Sequence, residues 1–208
     1  MNQKNQLGLN NCFLDLDDPI KLFKIWMDEA KKSEPNDPNA LSLATSNINN
    51  FPSARMVLLK DFSQNGFVFY TNLNSQKGND LNENPNAAMC FHWKSLLRQI
   101  RINGTVTQVA DEVADQYYNS RDYESRIGAW ASKQSEKLNT RKQLLTSIKE
   151  YKNKYNDKNN VPRPSHWSGW NLSPLSIEFW LDGDSRIHER LKYNKDSSGQ
   201  WIKSLLSP

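Results

Sequence analysis

Apolar positions change their spacing twice along this chain. After Asp18 they recur at helical intervals, with Ile20, Phe23, Met27 and Ala30 on one stripe. Asp18 is followed by Pro19, so a side-chain oxygen can cap free amides while proline sits where no donor is needed; a helix is predicted to start there. The spacing then falls to two. Residues 40–46, 54–60, 66–71, 87–93 and 97–109 alternate or are rich in β-formers, and the turn-forming stretches 47–52 and 63–66 separate them, which predicts an antiparallel meander or barrel. Helical spacing returns over 111–132 and 140–155, and a polar, proline-bearing loop follows at 156–164. Strands resume over 176–181, 186–193 and 200–205, with turns at 182–184 and 196–199. Strands on both sides of the helices predict one α+β domain over residues 18–208, its antiparallel sheet closed by the C-terminal strands. Residues 1–17 show neither period and are expected to form a flexible N-terminal segment.

Composition narrows the class. Hydrophobic residues make up only 37% of the 208, yet seven Trp and an aromatic share of 11% supply bulk for a core, and a partner subunit covering apolar surface would help. No apolar run approaches the roughly 20 residues needed to cross a bilayer, and the polar start is unlike a signal peptide, so no membrane and a cytoplasmic location are expected. Cys12 and Cys90 lack paired spacing, which suggests neither a disulfide nor a zinc site. The net charge of +4 arises from basic residues interleaved with acidic and amide ones, and small phosphorylated ligands explain it as well as nucleic acid does. The densest basic stretch, 133–158, places Leu144, Leu145, Ile148 and Tyr151 between its lysines. It reads as an amphipathic helix with a solvated face rather than a nucleic-acid stripe, so no nucleic-acid partner is expected.

Candidate chemistry begins with what is missing: there is no glycine-rich phosphate loop, no nucleophile elbow, and His92, His166 and His188 stand in no metal-ligand spacing, so no metal is expected. Four constellations remain. Arg55, Met56, Val57, Leu58, Leu59 and Lys60 form an apolar strand bracketed by cations; a core strand with charges at its solvated ends is the competing reading. Positions five apart on a strand face opposite ways, so a shared ligand needs a strand end, a bulge or a subunit boundary. Tyr70 and Thr71, followed by Ser75, Gln76 and Lys77, put a hydroxyl and a lysine at a helix start, a ready anion site or simply a cap beside an exposed lysine. Tyr117, Arg121 and Ser125, spaced by four, share a helical face that could clamp a phosphate or could be plain solvated surface. Arg186, His188 and Arg190 alternate along a predicted strand and project from one face, where such groups repel one another unless anions lie opposite.

These segments, in this order, resemble the pyridoxamine 5'-phosphate oxidase family over nearly the whole chain, from about residue 18 to 208. The resemblance rests on Arg55 to Lys60 with Tyr70 and Thr71, on Gln99 between Arg98 and Ile100, and on Ile127, Gly128, Ala129 and Trp130 leading to Lys133, Gln134 and Ser135. It rests further on Ile177, Glu178, Phe179 and Trp180 and on Arg186 to Arg190. It implies a split β-barrel with flanking helices that binds flavin mononucleotide (FMN), a homodimer with active sites at the subunit interface, and oxidation of pyridoxamine or pyridoxine 5'-phosphate by oxygen to pyridoxal 5'-phosphate and hydrogen peroxide. Carried over by position, FMN falls to Arg55, Met56, Val57, Leu58, Leu59, Lys60, Tyr70, Thr71, Gln76, Lys77, Gln99, Gln134, Ser135, Trp180 and Arg190. Substrate falls to Lys60, Tyr117, Arg121, Ser125, Arg186 and His188, the last two serving catalysis by holding it over the flavin. Two positions depart from the family pattern. Gln76 stands where an arginine is usual beside the phosphate lysine, and the N-terminus offers Asn2, Lys4 and Asn5 where relatives place an arginine and a tyrosine over the substrate. The competing readings are a split-barrel flavoprotein with another substrate and a carrier of FMN or pyridoxal phosphate without turnover.

Overall fold

The structure, a computed structural model, describes residues 6–208. These form five α-helices, nine strands and two 3-10 turns: α1 (Pro19–Ser33), β1 (Ala40–Ser46), β2 (Pro52–Leu58), β3 (Asp61–Ser63), β4 (Gly66–Asn72), α2 (Gln76–Glu83), β5 (Asn86–Trp93), β6 (Arg98–Gln108), α3 (Asp111–Ser120), α4 (Tyr123–Ala131), α5 (Arg141–Lys154), β7 (Trp167–Leu181), β8 (Glu189–Lys195) and β9 (Trp201–Leu206). All strands join one antiparallel sheet in the order β2-β1-β5-β6-β7-β4-β3, and β8 and β9 branch from β7. The branch follows from the length of β7: residues 67–72 of β4 pair with 167–172, and the far half, 176–181, pairs with β8. The sheet curls into a half-barrel with helices beside it, the expected α+β class. No helix among the described residues is long and apolar enough to cross a membrane.

Helix α1 closes the core. Asp18 caps it by accepting from the Ile20 amide at 2.9 Å, and the predicted stripe of Ile20, Phe23, Met27 and Ala30 is buried together with Leu22 and Trp26. Phe23 meets Phe62, Phe67 and Phe91 edge-on, with centroids 4.8, 4.9 and 5.4 Å away, the arrangement that the ring quadrupole favours.

The structure departs from the sequence expectations in several places. From Leu7 onward the leading segment is fastened rather than loose: Phe13 is fully buried against Trp26, whose indole donates to the Cys12 carbonyl at 2.9 Å, and the Tyr193 hydroxyl donates to the Leu16 carbonyl at 2.8 Å. A single aromatic anchor in a polar stretch leaves no period to read. Asn2, Lys4 and Asn5 lie outside the described residues. The helix expected over 111–132 breaks at Arg121, whose backbone is extended, because Asp122 starts a new helix by accepting from the Ser125 amide. Helix α5 spans 141–154, as the spacing over 140–155 predicts, but it covers only the middle of the basic stretch and buries none of its residues. Strand β7 begins at Trp167 rather than at 176. Pro174, which has no amide to donate, masks the pattern there, and the ladder slips at Asn103 and Gly104 opposite it. Gly104 is required at that point, since a Cβ would lie 2.1 Å from the Ser173 carbonyl oxygen.

Candidate active site

A cleft of about 460 Å3 opens where the end of β2, the end of β4, the start of α2, the α3–α4 break and the loop after α4 meet. Lys60, Tyr70, Thr71, Lys77, Arg121, Ser125 and Gln134 are in its walls, with Met56, Val57 and Leu58 from β2. Two further cavities share those walls. One holds Tyr117, Arg121 and Ser125 beside Lys60, and the other holds Arg55, Met56, Gln76, Lys77, Gln134 and Ser135. The opposite-face difficulty of Arg55 and Lys60 disappears because β2 ends at Leu58, leaving Lys60 beyond the strand. Leu59 does not join the others: its side chain is in the hydrophobic core, and its amide donates to the Asn39 carbonyl.

At the Arg55 end, Ser75 caps α2, its Oγ accepting from the Gly78 amide at 3.3 Å. The buried Lys77 Nζ donates to Thr71 Oγ1 at 3.0 Å, Ser75 Oγ at 3.2 Å and Gln134 Oε1 at 3.0 Å, all neutral acceptors. Burial, and after it the nearby Arg55 charge, draws the Lys77 pKa down to about 8. Arg55 donates from Nη1 to Thr45 Oγ1 and from Nη2 to Ser53 Oγ, both at 2.6 Å. The buried Asp80 accepts from Thr45 at 2.6 Å and lies 3.7 Å from Arg55 Nη2. Burial lowers the Arg55 pKa and Asp80 opposes that. Two cations with one acid behind them leave a net positive pocket beside a helix start, chemistry that fits a phosphate.

At the other end, Tyr117, Arg121 and Ser125 converge, but not as one helical face. Arg121 ends α3 and Ser125 lies on α4, so the break at Asp122 turns them toward each other. The Arg121 guanidinium lies over the Trp167 ring, 4.8 Å from its centroid, and its Nη1 is buried without a hydrogen-bond partner. Burial lowers its pKa. Tyr117 stacks on Tyr70 with centroids 4.0 Å apart, and Lys60 Nζ is 6.0 Å from the Tyr117 centroid.

The remaining candidates form a second group that does not line this cleft. Gln99, Trp180 and Arg190 lie in register across β6, β7 and β8. Arg190 donates to Glu178 Oε1 from Nε at 2.9 Å and from Nη2 at 2.8 Å, and to the Ser207 carbonyl at 2.9 Å. Arg186 and His188 are not on a shared strand face with Arg190. Strand β8 starts only at Glu189, and the chain turns at Asp184–Arg186, where Ser185 and Arg186 adopt φ of 56° and 64°. The turn follows Gly183, and the Ile187 amide closes it on the Asp184 carbonyl. Acids lie beside two of the three: His188 Nδ1, which accepts from the Gly183 amide at 3.3 Å, is 2.9 Å from Asp182 Oδ1, while Glu178 holds Arg190. The His188 ring lies 4.6 Å from that of Trp180.

Sequence reasoning missed Trp167 in the cleft wall and Thr45 and Asp80 behind Arg55, and gave Glu178 no role. A Thr or Asp inside a strand or a short helix carries no positional signal of its own, and Trp167 fell outside the strand as first bounded.

The family model described as pyridoxamine 5'-phosphate oxidase matches residues 27–155, and that of the pyridoxine 5'-phosphate oxidase C-terminal dimerisation region matches 167–208. A pyridoxine/pyridoxamine 5'-phosphate oxidase of Pelagibacter ubique is 74% identical over 208 residues, 100% of both chains. One from Allorhizobium ampelinum is 52% identical over 197 residues, 94% of this chain and 95% of that one. Among solved structures, PhzG from Burkholderia lata, in complex with tetrahydrophenazine-1-carboxylic acid, superposes with a TM-score of 0.89 at 27% identity, covering 99% of this chain and 100% of that one.

Proposed function

Because the chain belongs to the pyridoxine/pyridoxamine 5'-phosphate oxidase family, we propose that it oxidises pyridoxamine and pyridoxine 5'-phosphate to pyridoxal 5'-phosphate. FMN is the cofactor in this reading, oxygen the acceptor and hydrogen peroxide the second product. The observation that carries it is one cleft with a cation site at each end, Arg55 and Lys77 at one and Arg121 with Lys60 at the other, which suits two phosphorylated molecules lying side by side. FMN, when bound, supplies an acceptor for the hydride equivalent leaving the substrate carbon, and oxygen restores it.

The chain's own groups bind and orient. Arg55, Lys77 and the free amides of α2 would hold the FMN phosphate, with Gln76, Thr71, Gln134 and Ser135 adding neutral contacts. Arg121, Lys60, Tyr117 and Ser125 would hold the substrate phosphate, fixing the position of the reacting carbon.

Gln99, Trp180, Arg186, His188 and Arg190 complete the site when a second protomer brings them to this cleft. Support comes from their separation from it within one chain, and from the match of 167–208 to a dimerisation region. Ile48, Phe51 and Met56, each about two-thirds exposed, add apolar area of the kind that a second copy would cover. Arg190, held by Glu178, would then contact the flavin, with Arg186 and His188 holding the substrate. The test is whether purified protein is yellow and, in air, releases pyridoxal 5'-phosphate from pyridoxamine 5'-phosphate with equimolar peroxide. A colourless protein that takes up no FMN would overturn the proposal, and a yellow one without peroxide would leave a carrier.

A further inference from the structure

We infer that Trp167 is the positioning residue of the substrate-phosphate site, holding the Arg121 guanidinium by stacking where a carboxylate would otherwise hold it. The inference rests on the proposed role of Arg121 as the substrate-phosphate ligand. The guanidinium carbon lies 4.8 Å from the Trp167 centroid and 5.9 Å from that of Tyr118. Among the described residues no carboxylate forms an ion pair with Arg121. Asp122, next to it in the chain, turns its oxygens to the Ser125 amide and hydroxyl, both at 2.8 Å. Other arginines of this protein are held differently: Arg190 by Glu178, and Arg163 by Asp111 and Asp115.

The difference has a chemical consequence. A carboxylate engages the same fork of N–H groups that a phosphate needs and cancels the charge that attracts it, whereas an aromatic face orients the guanidinium plane and leaves its in-plane donors free. Nη1 of Arg121 accordingly has no hydrogen-bond partner among the described residues.

Trp167 can do this because it is itself fixed. It is 6% exposed, lies 5.3 Å from Tyr70 with ring planes 10° apart, and meets Tyr118 edge-on at 5.2 Å. Its amide donates to the Pro164 carbonyl and its carbonyl accepts from Arg163 Nη1. Two residues along the same strand, Gly169 leaves the space that Tyr70 occupies, since a Cβ there would lie 2.7 Å from the Tyr70 ring. The ring of Trp167 thus ties the wall shared with the flavin end to the arginine at the substrate end.

The test compares holoenzyme variants Trp167→Leu, Trp167→Phe and Arg121→Ala on pyridoxamine 5'-phosphate and on unphosphorylated pyridoxamine, with inorganic phosphate as a competing probe and flavin content as the measure of folding. Trp167→Leu is expected to raise KM for the phosphorylated substrate and the inhibition constant of phosphate together, by about threefold to thirtyfold, the range of a partly desolvated cation–π contact. Its kcat should change less than its KM, kcat/KM should fall less for pyridoxamine than for its phosphate, and Trp167→Phe should show the same effect at about twofold. Equal losses on both substrates, or no change in phosphate inhibition while Arg121→Ala abolishes it, would overturn the positioning role. If Arg121→Ala leaves phosphate discrimination intact, the assignment of Arg121 fails first and the inference falls with it. Should the Leu variant lose its flavin, the Phe variant decides: unchanged phosphate inhibition refutes, a rise at full flavin content supports.

Discussion

In the proposed FMN site, Lys77 is expected to make FMN binding sensitive to mild alkali. Its ammonium is buried among Thr71, Ser75 and Gln134 with no acid of its own, and its pKa falls from the ordinary 10.5 to about 8. A bound phosphate reverses the balance, since a dianion beside the ammonium favours the charged form. Binding above pH 8 must therefore take up a proton. If the bound lysine stays charged to pH 9, the dissociation constant rises by the ratio of neutral-to-charged factors in the free protein, about tenfold from pH 7 to 9, or about 1.4 kcal/mol. The phosphate contributes nothing to the change, because its second pKa near 6 makes it a dianion throughout. Arg55 keeps its charge over the range.

The assay is quenching of flavin fluorescence on titrating apo protein with FMN at pH 7, 8 and 9 and fixed ionic strength. Lys77→Arg, whose guanidinium cannot lose its proton here, should bind with a flat profile. Wild type as flat as Lys77→Arg would refute the account. Folding carries the same signature with its own sign. The unfolded chain binds more protons between about pH 8 and 10.5, so the apo protein should gain stability as pH rises through that window, provided other groups are constant.

Three further outcomes follow from the structure. Gln76→Arg should tighten FMN by about 1 kcal/mol, less at high salt, because Gln76 lines the Arg55–Lys77 cavity and adds no charge to it; unchanged affinity in a fluorescence titration would remove Gln76 from the phosphate site. Arg186→Leu and His188→Ala should leave flavin content intact while turnover falls steeply, since both are assigned to the substrate rather than to the flavin; loss of flavin from either would refute that division. Phe23→Ala should cost about 3–5 kcal/mol in urea unfolding, as expected for emptying a fully buried aromatic position, and a loss under 1 kcal/mol would mean that the rings of Phe62, Phe67 and Phe91 collapse into the space.

What could be read from the sequence divides along the range of the interactions involved. Local signals placed α1 at its cap and β1 at both ends, because Asp18 with Pro19 and the alternation of 40–46 are set within a few residues. The break at Arg121 was hidden because Asp122 caps α4 inside a stretch whose apolar spacing continues on both sides of it. The turn at Asp184–Arg186 was hidden because Arg186, His188 and Arg190 keep strand spacing even though the first two never enter the strand. The site follows the same division. Arg55, Lys77 and Arg121 were visible as cations in unusual settings, but what gives each its chemistry comes from elsewhere in the chain: Asp80 and Thr45 behind Arg55, Gln134 on Lys77, Trp167 under Arg121. Trp167 and Arg121 are brought together only because β7 pairs with β4 and starts early enough to put the indole beneath the α3–α4 break. A cation's type can thus be read one residue at a time, whereas its pKa, its free donors and its orientation belong to the fold, and these separate a phosphate clamp from a solvated surface.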